Sequence, residues 1–247
     1  MFTSIAAYRF VALDDPAAVV ARVRRLAEDS ALLGTVLVAD EGINLFLSGD
    51  ADDVAAFLRR LGEDPRFEAL EAKVSRSTTH PFARLKVKRK AEIISFRREG
   101  VSPLDRRAPG VRPQDLARWI AQGHDDAGRR LVLLDTRNRE EVGHGSFAGA
   151  LTLPIDRFTA LPAALEPHRE ALSDATVVGF CTGGIRCEKA VNWMRSAGYP
   201  HALQLEGGIL GWFEAMGGVG YDGNCFVFDE RVALDPALGA AADANAR

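Results

Sequence analysis

The sequence contains little cysteine and little excess charge, and these shortages exclude several classes of protein. Only three of its 247 residues are cysteine, an odd number without a framework pattern, which indicates a reducing compartment rather than a secreted fold. No Cys-x2-Cys pair occurs, so the spacing offers no structural zinc site. The net charge is −3, so any contact with nucleic acid must come from a local basic patch.

The sequence also lacks long apolar runs. No stretch has the apolar length of a membrane-spanning helix, and the first residues show no basic segment followed by an apolar one. We therefore expect a soluble, cytoplasmic protein without a membrane partner. Hydrophobic residues make up 47% of the chain, which is enough to build one large core or two smaller ones.

The first part of the chain predicts strands and helices in the order βαββαβ. Apolar runs predict strands at 4–11, 34–39, 45–49 and 67–75. Helical spacing of apolar residues predicts one helix after Pro16 and another after Asp50. This order is ferredoxin-like, and such a unit covers one sheet face with two helices and leaves the other face available to a ligand.

A basic stretch follows the ferredoxin-like unit. A strand over residues 84–90 would place the even-numbered basic residues on one side of the sheet. In an acidic protein this concentration is a candidate contact for an RNA phosphate backbone, and a solvated surface strand is the alternative. The candidate RNA-binding residues are Arg84, Lys86, Lys88, Arg89 and Lys90.

The second part of the chain predicts an α/β domain with a mostly parallel sheet. Its first strand, at 130–135, is apolar until Asp135, so Asp135 and Arg137 lie at the sheet edge where open α/β folds place their sites. The boundaries that follow are a ferredoxin-like domain at 1–98, a linker with a short helix at 99–126, an α/β domain at 127–222 and a C-terminal tail at 223–247. The Ala-rich end of the tail predicts a frayed helix or a disordered segment.

A cysteine lies at the turn between a buried strand and a helix. The apolar run at 175–180 leads into Cys181, and helical spacing begins at Cys187. Glycines let the turn curl tightly, and its N–H groups, the helix N-terminus and a nearby arginine all favour a thiolate. This is the setting of a nucleophilic cysteine. The predicted active-site loop consists of Thr182, Gly183, Gly184, Ile185 and Arg186.

Each residue near Cys181 has two interpretations. Arg186 holds an anionic substrate group or orients the loop, or it forms a structural ion pair with Asp135. Arg137 faces the same rim and has the same two interpretations. Cys187 is a resolving thiol or, as its helical position favours, a buried apolar residue.

The remaining titratable residues receive no functional role. We expect Glu188 and Lys189 on the surface of the helix after Cys181. Cys225 is distant in sequence, and His144 lies in a loop, where histidine is usually a surface residue. No cluster of His and carboxylates for iron and no Gly-x-Gly-x-x-Gly for a flavin are visible, so the sequence predicts no metal and no cofactor site.

Four motifs in the second part resemble the rhodanese domain over about residues 127–222. They are Leu134-Asp135-Thr136-Arg137, Phe147-Ala148-Gly149-Ala150, the loop from Cys181 to Arg186, and Leu205-Glu206-Gly207-Gly208. The whole chain is similar to a narrower family, the rhodanese-like tRNA uridine hydroxylases. That similarity rests on Glu41-Gly42-Ile43-Asn44, on the stretch from Cys181 to Lys189, and on Cys225-Phe226-Val227-Phe228-Asp229.

The resemblance implies an enzyme that converts the tRNA wobble uridine to 5-hydroxyuridine with O2 as co-substrate. It implies tRNA as the partner, no protein partner, and Cys181 as the active cysteine. The chain departs from the family at its end. Many members continue into a cysteine-rich tail, whereas here Leu234-Asp235-Pro236 leads into Ala-rich residues.

Two accounts of the chemistry stay open at this point. In the first, Cys181 adds to C6 of uracil and makes C5 nucleophilic; in the second, Cys181 carries a persulfide. The rhodanese loop by itself favours a sulfurtransferase that moves sulfane sulfur through such a persulfide. A catalytically inert interaction module is a weaker alternative. The Cys-x4-Arg loop is tighter than that of cysteine phosphatases, which suits sulfur better than phosphate.

Overall fold

The computed structural model describes residues 1–241, which form two units. Unit 1 contains residues 1–95, 228–232 and, within the described part of the chain, 238–241. Unit 2 contains residues 96–227 and 233–237. Within residues 1–241, none of the helices combines the length and the apolar character that a bilayer crossing requires. From residue 242 onward the Ala-rich end, predicted as a frayed helix or a disordered segment, lies outside the described residues.

Unit 1 confirms the predicted ferredoxin-like order. Its elements are β1 (Phe2–Phe10), α1 (Pro16–Asp29), β2 (Leu33–Ala39), β3 (Gly42–Gly49), α2 (Ala51–Gly62), β4 (Ala72–Ser77) and β5 (Leu85–Arg89). The strand order is β4-β1-β3-β2-β5. The first four strands pair antiparallel, and β5 joins the edge parallel to β2. The basic stretch therefore adds a fifth strand to the ferredoxin-like sheet.

One face of this sheet forms the core of unit 1. The apolar residues of α1 and α2 pack against alternate residues of the strands, as Val23, Phe57 and Leu45 illustrate, each with 0% exposure. Asp15 precedes Pro16 at the first position of α1, which matches the preference of proline for the first helical turn. Burial of this apolar stripe is the main favourable contribution to the stability of the unit.

Two predictions for unit 1 need correction. The fourth strand begins at Ala72 rather than at Phe67, because Phe67 sits in a turn, where its N–H donates to the carbonyl of Asp64 and its ring is buried. The second sheet face is not left fully available. The Asn44 amide donates to the Ile93 carbonyl at 3.2 Å, and Ile93 is 1% exposed.

Unit 2 is an α/β unit with a five-stranded sheet. Its elements are β6 (Gly110–Val111), α3 (Pro113–Gln122), β7 (Leu131–Asp135), α4 (Arg139–Val142), β8 (Gly145–Phe147), β9 (Leu151–Thr152), α5 (Leu161–Leu165), α6 (Arg169–Leu172), β10 (Thr176–Phe180), α7 (Ile185–Ser196), β11 (Ala202–Leu205), α8 (Gly208–Met216), β12 (Tyr221–Gly223), β13 (Cys225–Phe226) and β14 (Ala233–Leu234). The order β6-β11-β10-β7-β9 is parallel throughout, which confirms the predicted sheet type.

Segments predicted to lie outside the α/β domain belong to unit 2. The predicted linker supplies β6, which pairs with β11, and α3, in which Leu116 is fully buried. The predicted C-terminal tail supplies β13 and β14, which pair antiparallel and bury Cys225. Such two-residue strands carry too short a pattern to be recognised in sequence, because periodicity needs several residues.

Candidate active site

The central strand of unit 2 ends at the predicted active-site loop. All five residues of β10 are buried, and Phe180 pairs with Asp135 at the end of β7. Cys181 therefore follows the carboxyl end of a central parallel strand, at the edge where ligands bind in open α/β sheets. The loop from Cys181 to Gly184 connects β10 to α7.

The loop curls around the sulfur of Cys181. The N–H of Gly184 donates to Cys181 Sγ at 3.2 Å, and the N–H of Arg186 also bonds to this sulfur. Gly184 caps α7 with φ +98°, a left-handed conformation that glycine adopts without strain. These N–H groups form an anion nest at the start of a helix, as the sequence predicts for a thiolate.

The start of α8 supports the loop from behind. Ile209 and Leu210 donate their N–H groups to the carbonyls of Cys181 and Thr182 at 2.9 and 3.0 Å. A Cβ at Gly208 would lie 2.4 Å from the Cys181 carbonyl oxygen, so only glycine permits this approach. The Leu205-Glu206-Gly207-Gly208 motif and the residues after it therefore fix the backbone of the Cys181 loop.

The electrostatics of the loop favour the thiolate. Burial on its own raises the pKa of the Cys181 thiol, which is 1% exposed. A hydrogen bond from Cys187, the charge of Arg186 and the two loop N–H groups outweigh burial and lower the pKa to about 6. A thiolate is the reactive form of cysteine, so Cys181 is poised as a nucleophile near neutral pH.

Arg186 is paired with a residue that sequence reasoning missed. Its guanidinium donates to both carboxylate oxygens of Glu141, at 2.8 and 2.7 Å, and both side chains are buried. The alternative pairing with Asp135 is thus wrong. The one sequence signal at Glu141 was the Asn138-x-x-Glu141 capping box at the start of α4. A capping box predicts where a helix begins, and it does not predict that Glu141 binds an arginine 45 residues away.

Asp135 instead holds Arg137. Both side chains are 0% exposed, Arg137 Nη2 lies 2.6 Å from Asp135 Oδ2, and Arg137 also donates to the Gly145 carbonyl. Ser146 donates its hydroxyl to the same carboxylate at 2.8 Å. The predicted rim position of Arg137 is therefore wrong, because these contacts enclose the guanidinium beneath the loop.

The helix after the loop is buried to an extent that its polar residues did not predict. Glu188 and Lys189 are 3% and 2% exposed, so their expected surface position is wrong. The Glu188 carboxylate accepts a hydrogen bond from the Ala108 N–H at 3.0 Å, which explains how the charge is tolerated. Cys187 is fully buried, as its helical position favours, and it contacts Cys181 and Thr136.

Two residues without a predicted role lie near the loop. Cys225 is fully buried in β13, where its thiol donates to the Phe226 carbonyl and burial raises its pKa. The His144 ring contacts the Phe226 ring with centroids 5.2 Å apart. The Thr182 hydroxyl donates to the Phe226 carbonyl at 3.5 Å, so β13 lies beside the active-site loop.

The basic candidates lie on β5 and at its ends in unit 1. Val87 faces the core, so alternation places Lys86 and Lys88 on the opposite face of the sheet. By the same alternation Arg89 lies on the side of Val87, where it forms an exposed ion pair with Asp40 at 3.2 Å. Arg84 and Lys90 flank the strand and are exposed.

Known proteins match both units. Residues 2–93 match the UPF0176 acylphosphatase like domain, and residues 113–215 match the Rhodanese-like domain. A tRNA uridine(34) hydroxylase of Xanthomonas axonopodis pv. citri (strain 306) is 62% identical over 245 residues, which cover 99% of each chain. The chain belongs to the tRNA uridine(34) hydroxylase family.

Other members of the tRNA uridine(34) hydroxylase family match over similar lengths. The protein of Xanthomonas campestris pv. campestris (strain 8004) is 62% identical over 238 residues, which cover 96% of this chain and 94% of that protein. The protein of Xylella fastidiosa (strain M23) is 58% identical over 233 residues, which cover 94% and 91%. The predicted family and both predicted folds are thereby confirmed, whereas the roles of single site residues stay predictions.

The low pKa of the Cys181 thiol can be measured directly in this protein. Thiolate absorbance in the far ultraviolet, taken as wild type minus Cys181→Ser, should show an inflection near pH 6. The thiolate is present above that pH and is lost as the pH falls through it. Cys187→Ala removes a donor to the sulfur and should move the inflection upward. An inflection at the ordinary thiol value of about 8.5 would contradict the anion nest.

Proposed function

We propose that this chain hydroxylates C5 of uridine 34 in tRNA, with O2 as the co-substrate and Cys181 as the reacting residue. The observation that supports it most strongly is the match over 99% of both chains to a protein named tRNA uridine(34) hydroxylase. The loop around Cys181 supports the same proposal, because its N–H groups favour a thiolate. A tRNA substrate would place the protein in the cytoplasm.

The first step is addition of the thiolate of Cys181 to C6 of the uracil ring. This addition turns C5 into an enolate carbon, which reacts with O2 to form a peroxide on C5. A dithiol then reduces the O–O bond, which leaves a hydroxyl group on C5 and releases the second oxygen as water while the dithiol becomes a disulfide. The departure of the thiolate from C6 and loss of the C5 proton then restore the aromatic ring system. Position 34 lies in a single-stranded loop, so its base can be turned out toward the sulfur at low cost.

Trapping tests the covalent step. The fluorine of 5-fluorouridine cannot leave as a cation in place of the C5 proton, so RNA with this base at position 34 should accumulate a Cys181 adduct. Intact mass after denaturation detects the adduct, and Cys181→Ser serves as the control. The persulfide account instead predicts no adduct and one added sulfur on Cys181 after treatment with thiosulfate.

Oxygen labelling tests the proposed reaction itself. Purified protein, unmodified tRNA, a dithiol and ¹⁸O₂ should yield 5-hydroxyuridine at position 34 that carries one ¹⁸O atom. Product with oxygen from water would contradict the role of O2. If no 5-hydroxyuridine forms, and the protein instead transfers sulfur from thiosulfate to cyanide, the sulfurtransferase alternative replaces the proposal.

Unit 1 supplies the proposed tRNA contact. Lys86 and Lys88 lie on the sheet face opposite the helices, in a chain whose net charge is −3, so they form a local basic feature. Contacts between lysine and phosphate release counterions, which makes affinity depend on salt. These two lysines are the central members of the predicted RNA-binding group.

Replacing these lysines should weaken tRNA binding and reduce its salt dependence. For Lys86→Gln with Lys88→Gln, the slope of log affinity against log salt should fall by about 1 for each lost phosphate contact. The matched control is Arg25→Gln with Arg59→Gln, which removes the same charge from exposed positions on the helical side. Filter binding over a salt series measures both, and equal slopes for the two double variants would contradict the assignment.

A further inference from the structure

Two thiols are in contact at the candidate active site. Cys187 lies in the first turn of α7, where its N–H donates to the Gly184 carbonyl at 3.0 Å, and Gly184 in turn donates to Cys181 Sγ at 3.2 Å. The side chains of Cys181 and Cys187 are hydrogen-bonded to each other, and neither cysteine forms a disulfide. The fold therefore presents a dithiol rather than a single reactive cysteine.

The surroundings of Cys187 keep it as the protonated member of the pair. Its residue is 0% exposed, and burial raises its pKa well above the ordinary value. The Thr136 hydroxyl lies 3.7 Å from its sulfur, and Thr136 is itself held by the Phe180 carbonyl. A thiolate beside a thiol can become a disulfide once an oxidant has taken two electrons from the pair, for example through a sulfenic acid that condenses with the second thiol.

The proposed reaction needs two electrons beyond those that the substrate supplies. Reduction of O2 to the level of one hydroxyl group and one water takes four electrons. The C5–H bond of uridine provides two of them when it becomes C5–OH. A dithiol that becomes a disulfide releases the other two electrons together with two protons.

We propose that Cys187 is the second catalytic thiol and that the Cys181–Cys187 pair is the immediate electron donor for hydroxylation; this inference rests on the proposed function. The balance is uridine plus O2 plus two thiols, which give 5-hydroxyuridine plus one disulfide plus water. One oxygen atom stays on C5. The O–O bond breaks when Cys187 takes the second oxygen as a sulfenic acid. Cys181, released from C6, then attacks the Cys187 sulfur, expels that oxygen as water and forms the S–S bond.

The geometry favours this internal donor over a solvent thiol during the reaction. Cys181 is 1% exposed, whereas Cys187 already contacts it. The two sulfurs already adjoin, and a disulfide forms when they approach to about 2.05 Å. An external dithiol then resets the enzyme between turnovers by thiol–disulfide exchange.

A single turnover without external reductant tests the inference. The full chain is reduced, freed of reductant under anaerobic conditions, and mixed with unmodified tRNA and O2. After an acid quench, alkylation under denaturing conditions counts thiols, and nucleoside mass spectrometry counts 5-hydroxyuridine. We expect about one product per enzyme and a fall from three alkylated cysteines to one, with the change dependent on tRNA.

The position of the disulfide can be read without any variant. Trypsin cleaves after Arg186, between the two cysteines, so the bond should appear as a link between a peptide that ends at Arg186 and the short peptide Cys187-Glu188-Lys189. Reduction should separate the two. Cys187→Ser should form no such link, and its single-turnover yield should fall roughly tenfold or more. Cys225→Ser is the matched control and should still form it.

Each outcome separates the inference from the proposed function. If 5-hydroxyuridine forms while all three cysteines stay alkylatable, the inference is wrong and the proposed function stands. Loss of two thiols at the same rate without tRNA would also overturn the inference, because it would show oxidation uncoupled from substrate. If wild type forms no 5-hydroxyuridine even with excess dithiol, the proposed function itself is wrong.

Discussion

Cys181→Ser should abolish 5-hydroxyuridine formation, with a loss of roughly 10³-fold or more in turnover. A serine hydroxyl fits the loop but does not ionise near neutral pH. The N–H groups of Gly184 and Arg186 would then surround a neutral hydroxyl, which is a much weaker nucleophile than a thiolate. The variant should keep its fold, because the replacement changes one atom. Single-time-point yields of 5-hydroxyuridine in unmodified tRNA, with circular dichroism as the folding check, measure the effect.

Cys225→Ser provides the control for this experiment. Cys225 is also fully buried in unit 2, but burial raises its pKa and its thiol bonds to a carbonyl, so it lacks the features of a nucleophile. Its replacement should leave turnover within a few fold of wild type. A Cys181→Ser enzyme with turnover close to that of Cys225→Ser would show that the cysteine loop is not the reacting centre.

The second large effect concerns stability rather than turnover. Asp135→Ala should destabilise unit 2 by about 3–5 kcal/mol, because it leaves the buried guanidinium of Arg137 without its carboxylate. The change also removes the acceptor of the Ser146 hydroxyl. Urea unfolding followed by tryptophan fluorescence should show a clearly lower midpoint.

A matched ion pair on the surface provides the comparison. Arg139 and Asp156 are also 2.6 Å apart, but their side chains are 61% and 71% exposed. Asp156→Ala should therefore cost less than about 1 kcal/mol, because exposed pairs are screened by water. If both variants unfold at the same urea concentration, the enclosed Asp135–Arg137 pair does not stabilise unit 2 more than the exposed pair does.

The active-site loop could be predicted because its signals are local. A buried strand, a Gly-rich turn and a helix follow one another between residues 175 and 198, so the position of Cys181 and its anion nest needed no distant partner. The same holds for the ferredoxin-like order, in which each strand and helix carries its own periodicity. Local pattern is the part of a fold that sequence reasoning captures best.

Several of the corrected predictions depend on contacts between residues that are distant in sequence. Arg186 pairs with Glu141, which lies 45 residues earlier, and no spacing rule connects them. Glu188 looked like a surface residue because charged side chains are rarely buried, yet the Ala108 N–H satisfies its carboxylate. The cover over one face of the first sheet depends on a side chain of β3 that binds the backbone of Ile93. Tertiary contacts of this kind leave no periodic trace in the sequence.

The proposed dithiol shows how local and distant information combine. The sequence offered Cys187 as a resolving thiol or as a buried residue of a helix. The structure shows that burial and contact with Cys181 occur together, since the Thr136 hydroxyl and Cys181 both adjoin its sulfur. The two interpretations are therefore compatible, and the chemistry of the pair is what the single-turnover experiment decides.

The most direct test of the central claim is nucleoside mass spectrometry of total tRNA from a strain that lacks this gene and any parallel hydroxylation route. Complementation with the wild-type chain should restore 5-hydroxyuridine and its derivatives, and complementation with Cys181→Ser should not. Absence of the nucleoside after complementation with a wild-type chain that is expressed and folded would contradict the account. Equal restoration by both chains would contradict the role of Cys181.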